Sequence, residues 1–221
     1  RLLPAAVVVV LASVVAAALF IPRTLLPDEL LAAAAALLGV PNMYFAARGS
    51  DYLGGDTDSV VQQFWSLGVE EQFYLVWPFV LVLVLRVVRG RRVLAAAIVG
   101  VLSAASFALC MALMAWSQPL AFYVLPSRAW ELGVGALIAV LGSRITLSRG
   151  AASAASWVGL IGLVIAVIAI DGSMAFPGPT AALPVFATAL LIVGGLSREG
   201  GVQRALGLRP LAWLGDISYS V

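Results

Sequence analysis

Residues 93–116 read VLAAAIVGVLSAASFALCMALMAW. The stretch carries no charged side chain. About 20 apolar residues in helical conformation cross the hydrocarbon core of a bilayer. A run this long is therefore read as a membrane-spanning helix. Working outward, the runs 2–22, 73–88, 121–142, 154–170 and 180–196 have the same character, and another begins near Leu211. The stretch 30–45 is apolar but short and interrupted by Pro41-Asn42, which suits a re-entrant or half-buried helix. The expected fold is all-α, a polytopic transmembrane bundle of about six to eight spanning or re-entrant helices.

The composition agrees. Of 221 residues, 62% are hydrophobic and 11% charged, with mean hydropathy +1.06. Soluble domains carry about 25% charged residues, and a chain this short cannot hide so much apolar surface in one aqueous core. There is no histidine, and the single cysteine, Cys110, lies in an apolar run. A histidine base, a histidine or cysteine metal cluster and an internal disulfide are excluded within these residues, so no metal is expected.

All 13 cationic residues are arginine, which with abundant Ala, Val and Gly suggests a GC-rich bacterial source. Arg86, Arg89, Arg91 and Arg92 fall between two apolar runs; Arg144 and Arg149 follow the 121–142 run; Arg198, Arg204 and Arg209 follow the 180–196 run; Arg1 precedes the first. Arginine-rich short loops stay cytoplasmic. The opposite face then keeps Arg23, Arg48 and Arg128 and collects Asp28, Glu29, Asp51, Asp56, Asp58 and Asp171. This assignment needs an odd number of crossings between residues 23 and 86. One crossing, through 73–88, is the simplest solution; three are possible if 64–72 is also buried.

Chemistry concentrates in two places. WSLGVEEQFYLVWP at 65–78 runs two carboxylates straight into an apolar segment. On a helix Ser66, Glu70, Phe73 and Trp77 share one face, and Leu67, Glu71, Tyr74 and Pro78 the next. One glutamate can face the bundle and the other the interface. An ionised carboxylate at membrane depth is expensive unless paired or reached by water. The same pair equally fits an outer interface beside the aromatic belt of Trp65, Tyr74 and Trp77. In RAWELGVG at 128–135, Arg128 and Glu131 are three residues apart and can pair on a helix, either as an ordinary interfacial ion pair or as a pair that orients a substrate or a neighbouring carboxylate. Gly133 and Gly135 would permit close helix approach. The arginines beside the apolar runs satisfy topology; Arg1 or the Arg86–Arg92 cluster also offers phosphate contacts to an anionic donor.

At these residues the sequence resembles the acyltransferase-3 family of integral membrane O-acyltransferases. WSLGVEEQFYLVWP is similar to that family's signature. Arg1-Leu2-Leu3-Pro4, Asn42, Asp51-Tyr52, RAWELGVGALIA at 128–139 and LAWLGDISYSV at 211–221 resemble further family segments in the family's order. The pattern of Pro177, Gly178, Ala181 and Pro184 is similar to the subgroup that often carries a C-terminal SGNH domain. The resemblance covers residues 1–221 and implies a partial transmembrane acyltransferase domain truncated at both ends, which accords with a start at Arg1 and a stop within an apolar segment. The family's histidines would lie outside these ends, except one that is commonly two residues before the signature Trp; here that position is Gln63. The residues alone are expected to be inactive.

What the resemblance implies is transfer of an acyl group, usually acetyl, from cytoplasmic acetyl-CoA to a hydroxyl of an extracytoplasmic glycan or lipid-linked sugar, in a bacterial inner membrane. Glu70 or Glu71 would orient a base, Ser66 would accept an acyl group or simply pack or cap, Trp65 and Tyr74 would line the site, Arg128 and Glu131 would handle charge, and Arg1 would hold the donor. Two alternatives stand beside this. One is a proton-coupled transporter or flippase of a hydrophobic or lipid-linked substrate, with Glu70, Glu71 and Glu131 as a relay. The other is a catalytically lapsed scaffold.

Overall fold

The computed structural model describes residues 2–50, 52, 59–171, 174–196 and 201–217. All regular structure among them is helical. In chain order the helices are α1 (Leu2–Phe20), α2 (Leu26–Leu37), α3 (Pro41–Arg48), α4 (Phe64–Val88), α5 (Arg92–Trp116), α6 (Gln118–Tyr123), α7 (Leu125–Leu141), α8 (Arg149–Ala169), α9 (Ala182–Gly195), α10 (Gly201–Leu206) and α11 (Arg209–Ile217). Single 3₁₀ turns at Gly142–Arg144 and Pro179–Ala181 follow α7 and precede α9.

Among the described residues four segments are long and apolar enough to cross a membrane: Phe64–Val88, Arg92–Trp116, Gln118–Arg144 and Arg149–Ala169. Pro4–Phe20 and Pro179–Gly195 are shorter apolar helices. At 1.5 Å per residue the 19 residues of α1 reach about 28 Å, close to the roughly 30 Å hydrocarbon thickness. Many large apolar side chains point outward, Leu19, Phe79, Leu83, Val101, Val167 and Ile168 among them. Such exposure is what a lipid-facing surface requires. The chain is a multi-pass membrane protein.

The 30–45 stretch does not span. It divides into α2 and α3 because Gly39 takes a left-handed φ of +71° and Pro41 opens the next helix at a position where its missing N–H costs nothing. The signature segment joins the helix after it: α4 runs unbroken from Phe64, nine residues before the apolar run starts at Phe73. Between residues 23 and 86, α4 is therefore the one described helix long enough to cross.

Arginines gather where alternation puts them. The Arg92 guanidinium at the start of α5 donates to the Ser143 hydroxyl in the turn after α7, so these two arginine-flanked ends share one membrane face. At the opposite face the chain breaks between α6 and α7 at Val124. Buried Ser127 closes that break, its hydroxyl lying 2.8 Å from the carbonyl oxygens of both Ala121 and Val124. Ser106 of α5 then fastens α7: its hydroxyl donates to the Pro126 carbonyl at 2.6 Å and accepts the Trp130 N–H at 2.9 Å. These bonds set the rotation of α7 and hence the direction of Arg128 and Glu131.

Close packing pairs α5 with α7 and α8 with α9. Gly133 admits α5, since a Cβ there would stand 3.1 Å from Ser103 Cβ. Gly135 does not share this role: a Cβ on it would meet nothing within 4 Å. Two residues on, it has turned about 200° around the helix. At Gly159 an added Cβ would lie 2.5 Å from the Ala187 carbonyl oxygen and 2.8 Å from the Leu191 nitrogen, both backbone atoms. Gly159→Leu should therefore force α8 from α9 and cost about 1–3 kcal/mol, read as a lowered thermal midpoint of the full-length protein in detergent. Gly135→Ala in the same assay should not lower the midpoint, since the added methyl meets nothing and Ala is the better helix former.

Candidate active site

The site grows from the start of α4 and the α6–α7 break. Asn42, fully buried on α3, ties them together. Its Nδ2 donates to the Tyr123 carbonyl at 3.0 Å and to Gln72 Oε1 at 3.3 Å, and its Oδ1 accepts from Gln72 Nε2 at 2.8 Å. Gln72 Nε2 also donates to the Gly39 carbonyl at 3.2 Å. Gly68 makes this approach possible, because a Cβ there would sit 2.8 Å from Pro41 Cδ. Gln62 Nε2 adds a bond to the Tyr123 hydroxyl at 3.2 Å.

These bonds bring together an aromatic cage. The Trp65 ring lies 4.6 Å from Phe122 and 5.6 Å from Tyr123, and Tyr52 lies 5.7 Å from Trp65 and 5.5 Å from Phe122. Phe176 closes the cage 6.0 Å from Phe122. The Arg128 guanidinium lies over three of these rings, 5.3 Å from Trp65, 5.4 Å from Phe122 and 5.5 Å from Phe176. Ring faces attract a cation, more strongly where water is displaced. Arg128 Nη2 also donates to Glu131 Oε2 at 2.8 Å. The two side chains are only 14% and 17% exposed. Arg128 Nη1 and Glu131 Oε1 are buried and have no hydrogen-bond partner among the described residues. One donor of a cation and one acceptor of an anion thus stand side by side with unused capacity, at the edge of a cavity of about 380 Å³ between α7 and α9. A group that offers both a carbonyl or oxyanion and a hydroxyl satisfies both.

The carboxylates of the signature lie one to two turns beyond Trp65 on α4. Both are half-buried. Glu71 packs on the α2–α3 turn, where a Cβ added to Gly39 would lie 2.8 Å from Glu71 Oε2. Glu70 is one turn before Phe73, on the face that Phe73 and Trp77 continue. Those two rings stack at 5.2 Å and line an apolar groove of about 340 Å³ between α4, α5 and α7. The structure thus brings Trp65, Arg128 and Glu131 together. Ser66 is exposed and its hydroxyl donates to the Gln63 carbonyl of the turn before it. Tyr74 is also exposed, with its ring 6.3 Å from Phe73. Arg1, Asp51, Asp56, Asp58, Arg198 and residues 218–221 lie outside the described residues.

Sequence reasoning missed Phe122, Tyr123, Phe176, Gln72 and Glu29. The Phe122-Tyr123 pair just before a proline-marked break was the available signal for the cage. In the sequence Glu29 stands out only as an outer acid. It is buried, and its Oε2 accepts from the Ser59 hydroxyl at 2.8 Å and the Val60 N–H at 3.3 Å. Beside it Arg48 forks onto Asp28 at 2.8 and 3.0 Å. That hydrogen bond holds the Asp28 carboxyl below its usual range against desolvation, with the guanidinium charge adding to it. The same contact, with Tyr44, pushes Arg48 further up. Among the described residues no three metal-ligating side chains cluster.

The acyltransferase domain family model matches residues 1–221. The chain belongs to the acyltransferase-3 family. It is 27% identical, over 90% of its length, to a Bacillus subtilis protein provisionally named a peptidoglycan O-acetyltransferase. It is 29% identical over its whole length to a provisionally named membrane-bound transacylase of Komagataeibacter xylinus, and 23% identical over 86% of its length to a peptidoglycan O-acetyltransferase of Listeria monocytogenes. It spans 33%, 55% and 32% of these relatives respectively. No solved structure matches it.

Proposed function

We propose that the protein to which these residues belong is a membrane O-acyltransferase of a bacterial cytoplasmic membrane, moving an acetyl group from cytoplasmic acetyl-CoA to a hydroxyl of an envelope glycan on the other side. The observation that carries this reading is the buried Arg128–Glu131 pair, with a spare donor and a spare acceptor, held in an aromatic cage at the face opposite the arginine-rich loops. The names of the peptidoglycan-modifying relatives support the acceptor class.

In the reaction an acceptor hydroxyl oxygen attacks the thioester carbonyl carbon, the carbon–sulfur bond breaks, and the hydroxyl proton ends on the departing thiol. Arg128 Nη1 donates to the carbonyl oxygen as negative charge develops there. Such a preplaced donor in a water-poor site is worth about 3–4 kcal/mol. Glu131 Oε1 accepts from the incoming hydroxyl and fixes its direction. Glu70 and Glu71 orient the base that removes the proton; the chain itself carries no histidine. The apolar groove from Phe73 to Val80 offers the donor's thioester arm a route along α4, so that the acetyl group reaches the cage still bound to sulfur. Donor phosphates are held by arginines of the cytoplasmic face, Arg1 or the Arg86–Arg92 cluster. The Pro177, Gly178, Ala181, Pro184 pattern supports a fused SGNH domain downstream.

The test is transfer of radiolabel from acetyl-CoA to glycan by the full-length protein in membrane vesicles. Wild type should label the glycan. Glu70→Gln and Glu71→Gln should each insert normally and lower labelling about a hundredfold. Full transfer by both variants would remove the two glutamates from the site, and an unlabelled glycan with wild type would overturn the reading.

A further inference from the structure

A second cleft, of about 790 Å³, opens between the end of α1, the start of α2 and the chain segment that leads into α4. Its polar lining is Asp28, Glu29, Arg48, Ser59 and Gln63, and its apolar wall is Phe20 to Pro22 with Leu25. None of these groups belongs to the Arg128 cage.

The cleft is built rather than left over. Glu29 is a buried carboxylate that pins Ser59 and Val60 onto α2. The rim opposite is a closed network: Arg48 Nη1 donates to the Tyr44 hydroxyl at 3.0 Å, that hydroxyl donates to the Asp28 carbonyl at 3.2 Å, and the guanidinium forks onto the Asp28 carboxylate. Charge then selects the occupant. Among the described lining residues Arg48 is neutralised by Asp28, which leaves Glu29 as the excess charge. A phosphate or carboxylate ligand would meet net negative potential, so this is no site for the donor's phosphates. A neutral ring bearing several hydroxyls fits: carboxylate oxygens and the Gln63 amide accept and donate to vicinal hydroxyls, and the outward Phe20 ring offers an apolar face.

We infer that this cleft is the acceptor subsite and takes a neutral sugar ring of a glycan chain. The inference rests on the proposed acyl transfer for the acceptor's being a sugar. The placement suits that use. Gln63 on the cleft wall and Trp65 under the Arg128 guanidinium are two residues apart at the turn that opens α4. One glycan chain lying across that turn would place a ring in the cleft and a further hydroxyl at the cage. The volume lies within the range of small-ligand sites.

The experiment is ligand-observed NMR with the full-length protein in lipid nanodiscs and no acetyl-CoA, using chitotetraose, cellotetraose and maltotetraose as neutral probes and inorganic phosphate as the anionic one. At least one neutral probe should bind, and phosphate should not compete with it. Gln63→Ala should weaken that binding about tenfold, the loss of one to two hydrogen bonds. Leu25→Trp, a change at an exposed wall position, should block it while the protein keeps its melting temperature. Failure of all three sugars to bind, competition by phosphate, or unchanged affinity in Leu25→Trp would overturn the inference. The assay needs no transfer, so sugar binding without acetylation would sink the proposed reaction and keep the subsite. Acetylation with an acceptor KM unchanged by Leu25→Trp would do the reverse.

Discussion

Arg128→Leu in the full-length protein should lower acyl transfer about a thousandfold and reduce stability by about 3–5 kcal/mol. Both effects follow from where the guanidinium sits. It is buried, stacked over Trp65, Phe122 and Phe176, and bonded to Glu131 at 2.8 Å. Removing it leaves the Glu131 carboxylate unpaired in an apolar helix, and an uncompensated charge there is expensive. A second substitution separates the two losses. In Arg128→Leu with Glu131→Leu no charge is stranded, so the thermal midpoint should return to near wild type. Transfer should not return, because the donor at Nη1 is gone. Restored stability with absent transfer assigns the pair to chemistry. Transfer within tenfold of wild type in the single variant would show that Arg128 acts only in packing.

The pairing of Arg128 with Glu131 was legible from spacing alone, because i and i+3 on a helix are neighbours. So were the spanning segments 93–116 and 154–170, which rest on length and hydropathy and need no partner. What packs on the pair was not legible. Phe176 lies 48 residues beyond Arg128, and Trp65 lies 63 before it. Nothing in local periodicity links rings so far apart. The two glycines show the same limit. Gly133 and Gly135 look alike in sequence, yet only Gly133 faces α5, since helix rotation is fixed by the Ser106 bonds to Pro126 and Trp130. The helix break inside the 121–142 run was missed because Pro126 fits the first turn of a helix as well as it ends one. Hydropathy starts the apolar run at Phe73 while α4 starts at Phe64, because Ser66, Glu70, Glu71 and Gln72 lower the hydropathy of a stretch that is helical all the same.

Asn42→Asp should be among the most damaging changes in the chain, though it alters neither size nor shape. Asn42 is fully buried and uses both ends of its amide: Nδ2 serves Tyr123 and Gln72, and Oδ1 is served by Gln72. A carboxylate keeps the second role and reverses the first. Its oxygen would then face the Tyr123 carbonyl oxygen and Gln72 Oε1, three acceptors with no hydrogen between them, and it would bury a charge. The expected cost is about 3 kcal/mol or more. Asn42→Ala removes the same bonds without the repulsion or the charge and should cost less, about 2 kcal/mol. The order Asp worse than Ala, read from melting of the full-length protein in detergent, is the discriminating result, since a site that merely needed volume would give the opposite order. Activity should follow the geometry. Freed from Asn42, the end of α6 no longer holds Phe122 against Trp65, so the roof over Arg128 loosens and the guanidinium loses its direction. In Asn42→Ala, kcat should therefore fall about tenfold or more at saturating acetyl-CoA while the KM for the donor stays near wild type. A fall in donor affinity at unchanged kcat would place the role of Asn42 elsewhere than in the cage.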